Sequence, residues 1–211
     1  MEWIIQLPVL FFSVVVHEFS HGWMAYSRGD DTAARSGRLT LDPIPHVDPF
    51  GTVFLPLLCF FLKAPMFGWA KPVPVNPSKL RDPLRDTVRV AMAGPASNLV
   101  LALAAAVLFK ATALAPLLTP AFKATVLEAL LFGVTINLFL AFFNLVPVHP
   151  LDGSKVVNGL LPEHWRKVYR RHVPYGVFIL LLLTTTSAFS AVILWPSQLV
   201  LNAFARIGLI G

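Results

Sequence analysis

Residues 3–26 read WIIQLPVLFFSVVVHEFSHGWMAY, an apolar run that carries two histidines and a glutamate near its end. At 1.5 Å per residue, a helix over this run is about 36 Å long, which is enough to cross a bilayer. An ionisable side chain at membrane depth costs about 2.5 to 3.5 kcal/mol. Three such side chains within five residues therefore require a compensating role, and the run predicts a membrane span that contains a functional site.

The spacing of His17, Glu18 and His21 fits a metal site with a catalytic carboxylate. On a helix, His17 and His21 lie one turn apart on the same face, so both imidazoles can reach one ion at about 2.0 to 2.1 Å. Glu18 is rotated by about 100° and lies beside the ion, where a carboxylate can act on a metal-bound water. The alternative is that neighbouring helices satisfy these side chains without a metal. The membrane setting favours the catalytic interpretation.

The composition of the whole chain is not that of a soluble protein. Asp, Glu, Lys and Arg make up only 13% of the 211 residues, whereas 56% of them are apolar. This charged fraction is about half of the soluble average. The net charge of +6 comes from short loops between apolar runs, as expected for loops on the cytoplasmic side of a membrane rather than for nucleic-acid binding. We therefore predict an all-α polytopic membrane protein that does not bind nucleic acid.

Long apolar segments predict four full transmembrane helices. Each segment is about twenty residues or longer, the length that a helix needs to cross the hydrocarbon core. The expected spans lie at residues 3–26, 90–109, 129–148 and 173–195. Because Trp195 and Pro196 would end the last span, we expect residues 197–205 to form a short return or interfacial helix.

Residues 53–62 form a shorter apolar run between the first two spans. Ten residues suit a re-entrant or interfacial segment better than a crossing. Re-entry divides the 16 basic residues of the loops between residues 28 and 171 into 14 and 2 on the two membrane faces, whereas a crossing divides them into 11 and 5. The tendency of basic loops to stay on the cytoplasmic side favours re-entry.

A proline-rich stretch follows this run, and we expect it to form a small extended or β element. Prolines at 72, 74 and 77 exclude a sheet interior but permit an extended edge. On such an edge the amides of Val73, Val75 and Asn76 could bind an unwound substrate as an added strand. The alternative is a rigid connector.

A catalytic zinc site usually takes a third protein ligand, which the two histidines do not supply. The acids at or near the edge of another span are Glu128 and Asp152. Pro147 and Pro150 break the helix before Asp152 and can turn its carboxylate inward. The alternative role of Asp152 is an ordinary Asp-Gly turn that ends a helix. A metal shared with the first span would place Asp152 and the end of that span on one membrane face, which again favours re-entry.

Five motifs resemble those of the site-2 protease family of intramembrane zinc metalloproteases, in its small bacterial branch without a PDZ or other regulatory domain. They occur in the order typical of the family and cover most of the chain. The motifs are HEFSH at 17–21, GRLTLDP at 37–43 with His46, Asp48 and Pro49, FGWAKPVPVNP at 67–77, GPASN at 94–98 and LDG at 151–153. Asp42 and His149 differ from the family pattern, and His149 could compete with Asp152 for the metal.

The resemblance implies one Zn²⁺ per chain on His17, His21 and Asp152, with Glu18 activating the water. It also implies that Asn144 lies near the metal, where its amide could bind the scissile carbonyl or the developing oxyanion. One such donor is typically worth about 2.7 to 4 kcal/mol. Asn98 is a second candidate for this role. Its alternative is an interhelical hydrogen bond worth about 1 kcal/mol.

The resemblance further implies that residues 1–211 form a single intramembrane metalloprotease domain, surrounded by lipid in the bacterial inner membrane. The expected activity is zinc-dependent hydrolysis of a peptide bond within or beside a transmembrane segment of a protein substrate. The alternative is a metal-binding membrane scaffold or chaperone without proteolytic activity. Such a protein would need the metal ligands but not Glu18, so the presence of Glu18 favours the enzyme.

Overall fold

A computed structural model describes residues 2–61, 69–116 and 119–210 of the protein. The chain is mainly helical, and no β-strand occurs within these described residues. Four helical segments are long and apolar enough to cross a membrane: Ile4–Ser27, Pro83–Leu114, Pro120–Asn144 and Ser187–Arg206. The prediction of an all-α, multi-pass membrane protein with four spans is confirmed.

Ten α-helices are described, and three of them are long. Their bounds are α1 Glu2–Ser27, α2 Thr32–Arg35, α3 Leu55–Phe61, α4 Pro83–Leu114, α5 Pro120–Asn144, α6 Asp152–Leu160, α7 Glu163–Tyr169, α8 Gly176–Thr184, α9 Ser187–Phe189 and α10 Trp195–Arg206. Short 3-10 or π-helical segments occur at Ile44–His46, Pro49–Phe54, Pro77–Lys79, Arg170–Tyr175 and Ser190–Leu194. The long helices α1, α4 and α5 pack together and form the bundle that carries the candidate site.

Small side chains allow α4 and α5 to pack closely. Ala102 and Ala106 of α4 are fully buried in one apolar cluster with Val134 and Leu138 of α5. Between membrane helices, small residues permit close backbone approach and strong van der Waals packing. Helix α10 and the residues after it cover the same cluster from outside.

The segment between α1 and α4 leaves the bundle and returns to it at the same end. The backbone N–H of Arg81 donates to the carbonyl oxygen of Arg28 at 3.0 Å, which joins the end of α1 to the start of α4. Helices α4 and α5 are antiparallel, because a short connection links them and the Lys123 ammonium reaches the Ala113 carbonyl. The C-terminal ends of α1 and α5 therefore share one end of the bundle, which we call the site end. This arrangement agrees with re-entry of residues 53–62, of which residue 62 lies outside the described part.

The helical stretch that leads into α3 begins with a capped turn. The Asp48 carboxylate accepts hydrogen bonds from the backbone N–H groups of Phe50 and Gly51 at 3.0 and 2.7 Å, and starts the helical stretch that ends in α3. The N–H of Trp69 then donates to the carbonyl of Gly51 at 3.1 Å, so the returning chain runs along this element. Phe67 and Gly68 of the predicted motif lie outside the described residues.

Residues 70–76, which we call the extended segment, belong to no helix and pair with no strand in the described part of the chain, and the backbone of Asn76 at their end is extended. The Asn76 N–H donates to the Asp30 carboxylate at 2.6 Å. Just beyond, the Lys79 ammonium donates to Asp31 at 2.8 Å and lowers the pKa of that carboxyl below its ordinary value. The predicted extended element is therefore present as a single anchored chain.

The last span differs from the prediction. A span over 173–195 was expected to end at Trp195 and Pro196, but the chain is helical through both residues and breaks instead at 185–186, between α8 and α9. Pro196 lies in the first turn of α10, where its missing N–H costs little, and a π-helical turn precedes it. The span is Ser187–Arg206, so residues 197–205 are part of it and do not form a separate return helix.

Candidate metal centre

His17, His21 and Asp152 meet in the interior at the site end of the bundle. Their candidate ligand atoms all lie within 4.8 Å of one another, and no other group of three such residues was found in the described part of the chain. The Oδ2 atom of Asp152 is 3.2 Å from His17 Nε2 and 2.9 Å from His21 Nε2. The two Nε2 atoms are 3.0 Å apart. All three residues are at least nine-tenths buried.

The hydrogen bonds on the far side of each ring suit a metal ion. His17 Nδ1 is 2.6 Å from Asn98 Oδ1, and His21 Nδ1 is 2.7 Å from the carbonyl oxygen of Val90. Both oxygens can only accept, so each Nδ1 carries the proton and each Nε2 of a neutral ring presents a lone pair. Two lone pairs and a carboxylate oxygen thus converge on one point, a ligand set that zinc uses in catalytic sites.

A tight turn after α5 returns Asp152 to the bundle. Asp152 begins α6, and its Oδ1 accepts a hydrogen bond from the Lys155 ammonium at 2.9 Å, which leaves Oδ2 toward the imidazoles. Gly153 is required by this turn, because a Cβ there would lie 2.2 Å from the carbonyl oxygen of Leu145. Glu128, the other acid considered from the sequence, is exposed in the first half of α5. The structure therefore brings Asp152, and not Glu128, to the histidines.

Gly94 allows α4 to pass directly against the two imidazoles. An ideal Cβ at this position would lie 2.4 Å from His21 Nε2 and 2.5 Å from His17 Nε2, closer than the 3.0 Å that real Cβ atoms respect. The sequence analysis did not recognise Gly94 as part of the site. The available signal was its position one helical turn before Asn98, which places both residues on the same face of α4.

Glu18 lies beside the cluster and contacts the extended segment. Its Oε2 accepts a hydrogen bond from the backbone N–H of Val73 at 2.8 Å. The residue lines the same cavity as the two histidines and Asp152. This is the placement beside the ligand face that the helical spacing predicted.

The two candidate asparagines lie in different places. Asn144 lines the cavity, and one N–H of its amide donates to the Leu140 carbonyl of its own helix at 3.0 Å. Asn98 is fully buried behind His17, and its amide nitrogen donates to Asn137 Oδ1 at 2.8 Å. Of the two asparagines, Asn144 is among the residues that line this cavity and Asn98 is not.

His149 does not join the cluster. Its side chain is exposed and lines a separate cavity of about 200 Å³ with Tyr169 and His172. Its backbone N–H donates to His172 Nε2 at 3.0 Å. The suggested competition between His149 and Asp152 for the metal has no support in this geometry.

A cavity of about 350 Å³ opens onto the cluster. Its polar wall carries the three candidate ligands together with Glu18, Asn144 and Lys155. Val73 and Val75 of the extended segment also line the cavity. A cavity of this size has room for water and for part of a peptide chain. A group bound there would lie next to the Glu18 carboxylate and the Asn144 amide.

The fold and this site define a membrane-embedded metallopeptidase. Residues 112–185 match the model of Peptidase family M50. The chain is 39% identical over 190 residues to "Putative zinc metalloprotease YwhC" of Bacillus subtilis, a match that covers 89% of this chain and 82% of the relative. It is 30% identical over 187 residues to "Putative zinc metalloprotease Rip2" of Mycobacterium tuberculosis, covering 87% and 69%. No solved structure matches significantly.

The chain belongs to peptidase family M50. The protein is accordingly a zinc metallopeptidase, with zinc as its cofactor and a protein as its substrate. Its four apolar helices make it an integral, multi-pass protein of a membrane.

Proposed function

We propose that this protein is an intramembrane endopeptidase that cleaves a peptide bond within or beside a transmembrane segment of its substrate. The observation that carries the proposal is the position of the ligand cluster inside a membrane span. His17 lies ten residues before the end of α1, which corresponds to about 15 Å along the helix axis. A peptide bond that reaches this depth must belong to a segment in the membrane or next to it.

We propose His17, His21 and Asp152 as the zinc ligands. The first support is that Nε2 of both histidines and Oδ2 of Asp152 converge on one point. The second is that every other polar atom of the three side chains is already hydrogen-bonded. The Nδ1 atoms donate to Asn98 and to the Val90 carbonyl, and Asp152 Oδ1 accepts from Lys155. Partners of this kind fix the orientation and the tautomer of metal ligands.

Glu18 is the proposed general base. When bound, zinc lowers the pKa of a coordinated water toward about 7 and polarises the scissile carbonyl. The Glu18 carboxylate accepts the proton of the attacking water and returns it to the leaving amine. The hydrogen bond from Val73 holds Oε2, so the carboxylate keeps one orientation while Oε1 exchanges the proton.

Asn144 is the proposed donor to the scissile carbonyl. Its amide has two N–H groups, and the bond to Leu140 uses one of them. The second can stabilise charge that develops on the carbonyl oxygen, a contribution typically worth about 2.7 to 4 kcal/mol. We do not propose Asn98 for this role, because it does not line the cavity and its amide nitrogen faces both Asn137 Oδ1 and the Ser13 carbonyl.

We further propose that residues 1–211 act as one intramembrane domain in the inner, or cell, membrane of a bacterium. The support is the long match to relatives from bacteria, which covers 89% of the chain for the relative from Bacillus subtilis. A scaffold or chaperone without proteolytic activity would need the metal ligands but not a carboxylate beside them, so the presence of Glu18 in the cavity supports the enzyme.

The replacement Glu18→Gln tests the proposal. Glutamine can still accept the Val73 hydrogen bond but cannot take a proton from water, so we expect full zinc content and no cleavage. Zinc is measured by elemental analysis of detergent-purified protein, and cleavage with transmembrane peptides. Ser20→Ala is the matched control, because among the described residues the Ser20 hydroxyl bonds only to the Val16 carbonyl of its own helix, at 2.7 Å. Cleavage by Glu18→Gln would exclude the general-base role, and loss of zinc would make Glu18 a ligand.

A further inference from the structure

A line of buried polar side chains crosses the three-helix bundle behind His17. Ser13 of α1, Asn98 of α4 and Asn137 of α5 are 1%, 0% and 3% exposed, respectively. None of them lines the cavity at the ligand cluster, and the proposed reaction uses none of them. Buried polar groups in a membrane bundle are costly unless they are fully hydrogen-bonded, so the line requires an explanation.

Ser13 and Asn137 lie at the end of this line that is farther from His17, and their contacts determine the direction of each hydrogen bond along it. The Ser13 hydroxyl donates to the Val9 carbonyl at 2.8 Å, so its oxygen must accept from the next group. Asn137 faces both that oxygen and the Gly133 carbonyl at 2.8 Å, and only its NH₂ group can donate to both. The Asn137 carbonyl oxygen therefore points to Asn98.

The same reasoning continues to the imidazole. Asn98 must present its NH₂ group to Asn137, at 2.8 Å, and this turns its carbonyl oxygen to His17 Nδ1 at 2.6 Å. An oxygen that can only accept requires the ring proton to be on Nδ1. Nε2 is then left as a lone pair, 3.2 Å from Asp152 Oδ2. Two backbone carbonyls, of Val9 and Gly133, thus determine the tautomer of His17 through three side chains.

We propose that Asn98 and Asn137 are positioning residues that hold His17 in its metal-binding tautomer and orientation, and thereby set the zinc affinity of the site. The inference rests on the zinc ligands proposed above. A reversed Asn98 amide would present N–H groups to Nδ1, which would move the ring proton to Nε2 and remove the lone pair. His21 does not depend on this line, because its Nδ1 donates to a backbone carbonyl.

Two substitutions at Asn98 separate positioning from a purely structural role. Asn98→Leu removes the acceptor for His17, so we expect zinc to bind about 10- to 100-fold more weakly, the usual loss for such partners. Asn98→Asp keeps an acceptor for the Nδ1 proton and should retain more of the zinc affinity. The aspartate should nevertheless lower the melting temperature more than leucine does, because it places a second acceptor against Asn137 Oδ1.

The experiment measures the zinc dissociation constant by chelator competition and the melting temperature of each detergent-purified protein. Thr135→Ala is the control, because Thr135 is exposed on α5 and, within the part of the chain that the structure describes, its hydroxyl bonds only to the Leu131 carbonyl of the same helix, at 3.0 Å. Weak zinc binding by Asn98→Leu with better binding by Asn98→Asp supports the inference. Unchanged zinc binding by Asn98→Leu overturns it. So does a result in which the variant with the lower melting temperature also has the lower zinc affinity.

A measurement on the unmodified protein keeps the inference testable if a variant does not fold. Nitrogen NMR of ¹⁵N-histidine-labelled, zinc-loaded protein should show His17 coordinated through Nε2 with a hydrogen-bonded Nδ1 proton. Coordination of His17 through Nδ1 would overturn the inference. Failure of the unmodified protein to bind zinc at all would instead reject the ligand set of the proposed function.

Discussion

Replacing Gly94 by alanine should prevent zinc binding while leaving the bundle folded. The new Cβ would lie 2.4 Å from His21 Nε2 and 2.5 Å from His17 Nε2. To reach the 3.0 Å that real Cβ contacts respect, the nearer ring must withdraw by roughly 0.6 Å. A metal site tolerates about 0.2 Å in its ligand distances. The added Cβ would therefore displace Nε2 of both histidines too far to bind the same ion. We expect zinc affinity to fall by about 100-fold or more, the upper end of what supporting residues contribute.

Helix α4 itself should tolerate the alanine, which is favoured over glycine in helix interiors by about 1 kcal/mol. The assay is zinc retention by detergent-purified protein against chelators of graded strength. Gly133→Ala in α5 is the matched control, because a Cβ there meets nothing closer than 3.6 Å among the described residues. It also keeps the backbone carbonyl that accepts from Asn137, so zinc binding should be unchanged. A Gly94→Ala protein that holds zinc as tightly as this control would refute the close packing of α4 against the imidazoles.

Three further perturbations test other parts of the site. Asp152→Ala should lose zinc and cleavage together, measured by elemental analysis and peptide assay; full zinc occupancy would assign the third ligand to another residue. Single cysteines at the exposed positions Ser36, Ser78 and Glu163, introduced after Cys59→Ser, should all react with a reagent applied from the cytoplasmic side. Opposite labelling at positions 36 and 78 would show that residues 53–62 cross the membrane. Val75→Pro should slow cleavage about tenfold, the effect of one lost backbone hydrogen bond of about 1.4 kcal/mol, without changing zinc content. Val75 is informative because the Val73 and Asn76 amides already donate to Glu18 and Asp30, and a normal rate would leave this segment a connector.

The relative positions of the two histidines and the glutamate of α1 could be predicted from the sequence, because helical geometry alone determines them. His17 and His21 are four residues apart, so any helix places them on one face, and Glu18 follows to the side. The first three spans could be located for a similar reason, since charged residues flank their apolar runs. Their bounds were less accurate, because α4 and α5 begin at Pro83 and Pro120, before those charges, and α5 ends at Asn144 rather than at residue 148. The contact of Asp152 with the two histidines was harder to predict, because it depends on the path of the turn between α5 and α6. The turn itself could be anticipated from the prolines at 147 and 150.

The last span could not be located from hydropathy. Residues 173–205 carry no charge, so nothing in composition distinguishes a helix that ends at Trp195 from one that continues to Arg206. The proline at 196 suggested an end, but a proline in the first turn of a helix is compatible with either interpretation. Tertiary packing on α5, through the residues around Leu201, decides between them.

The residues that contact the candidate ligands could not be predicted from the sequence either. Asn98 could be recognised as a buried polar residue, and an interhelical hydrogen bond was one of its two expected roles. That its carbonyl faces His17 depends on Asn137, which is 39 positions away on another helix. The position of Gly94 against the Nε2 atoms depends likewise on how α1 and α4 cross.

The decisive experiment maps the bond that the zinc-loaded protein cleaves in a membrane-embedded peptide. Purified protein is stripped of metal, reloaded with one equivalent of zinc and reconstituted with a peptide that has one apolar span between soluble flanks. Mass spectrometry of the products then locates the cut. We expect a cut within or beside the apolar span, present only after zinc is restored and absent with Glu18→Gln. Cuts confined to the soluble flanks, or cleavage that persists without zinc, would contradict an intramembrane zinc peptidase.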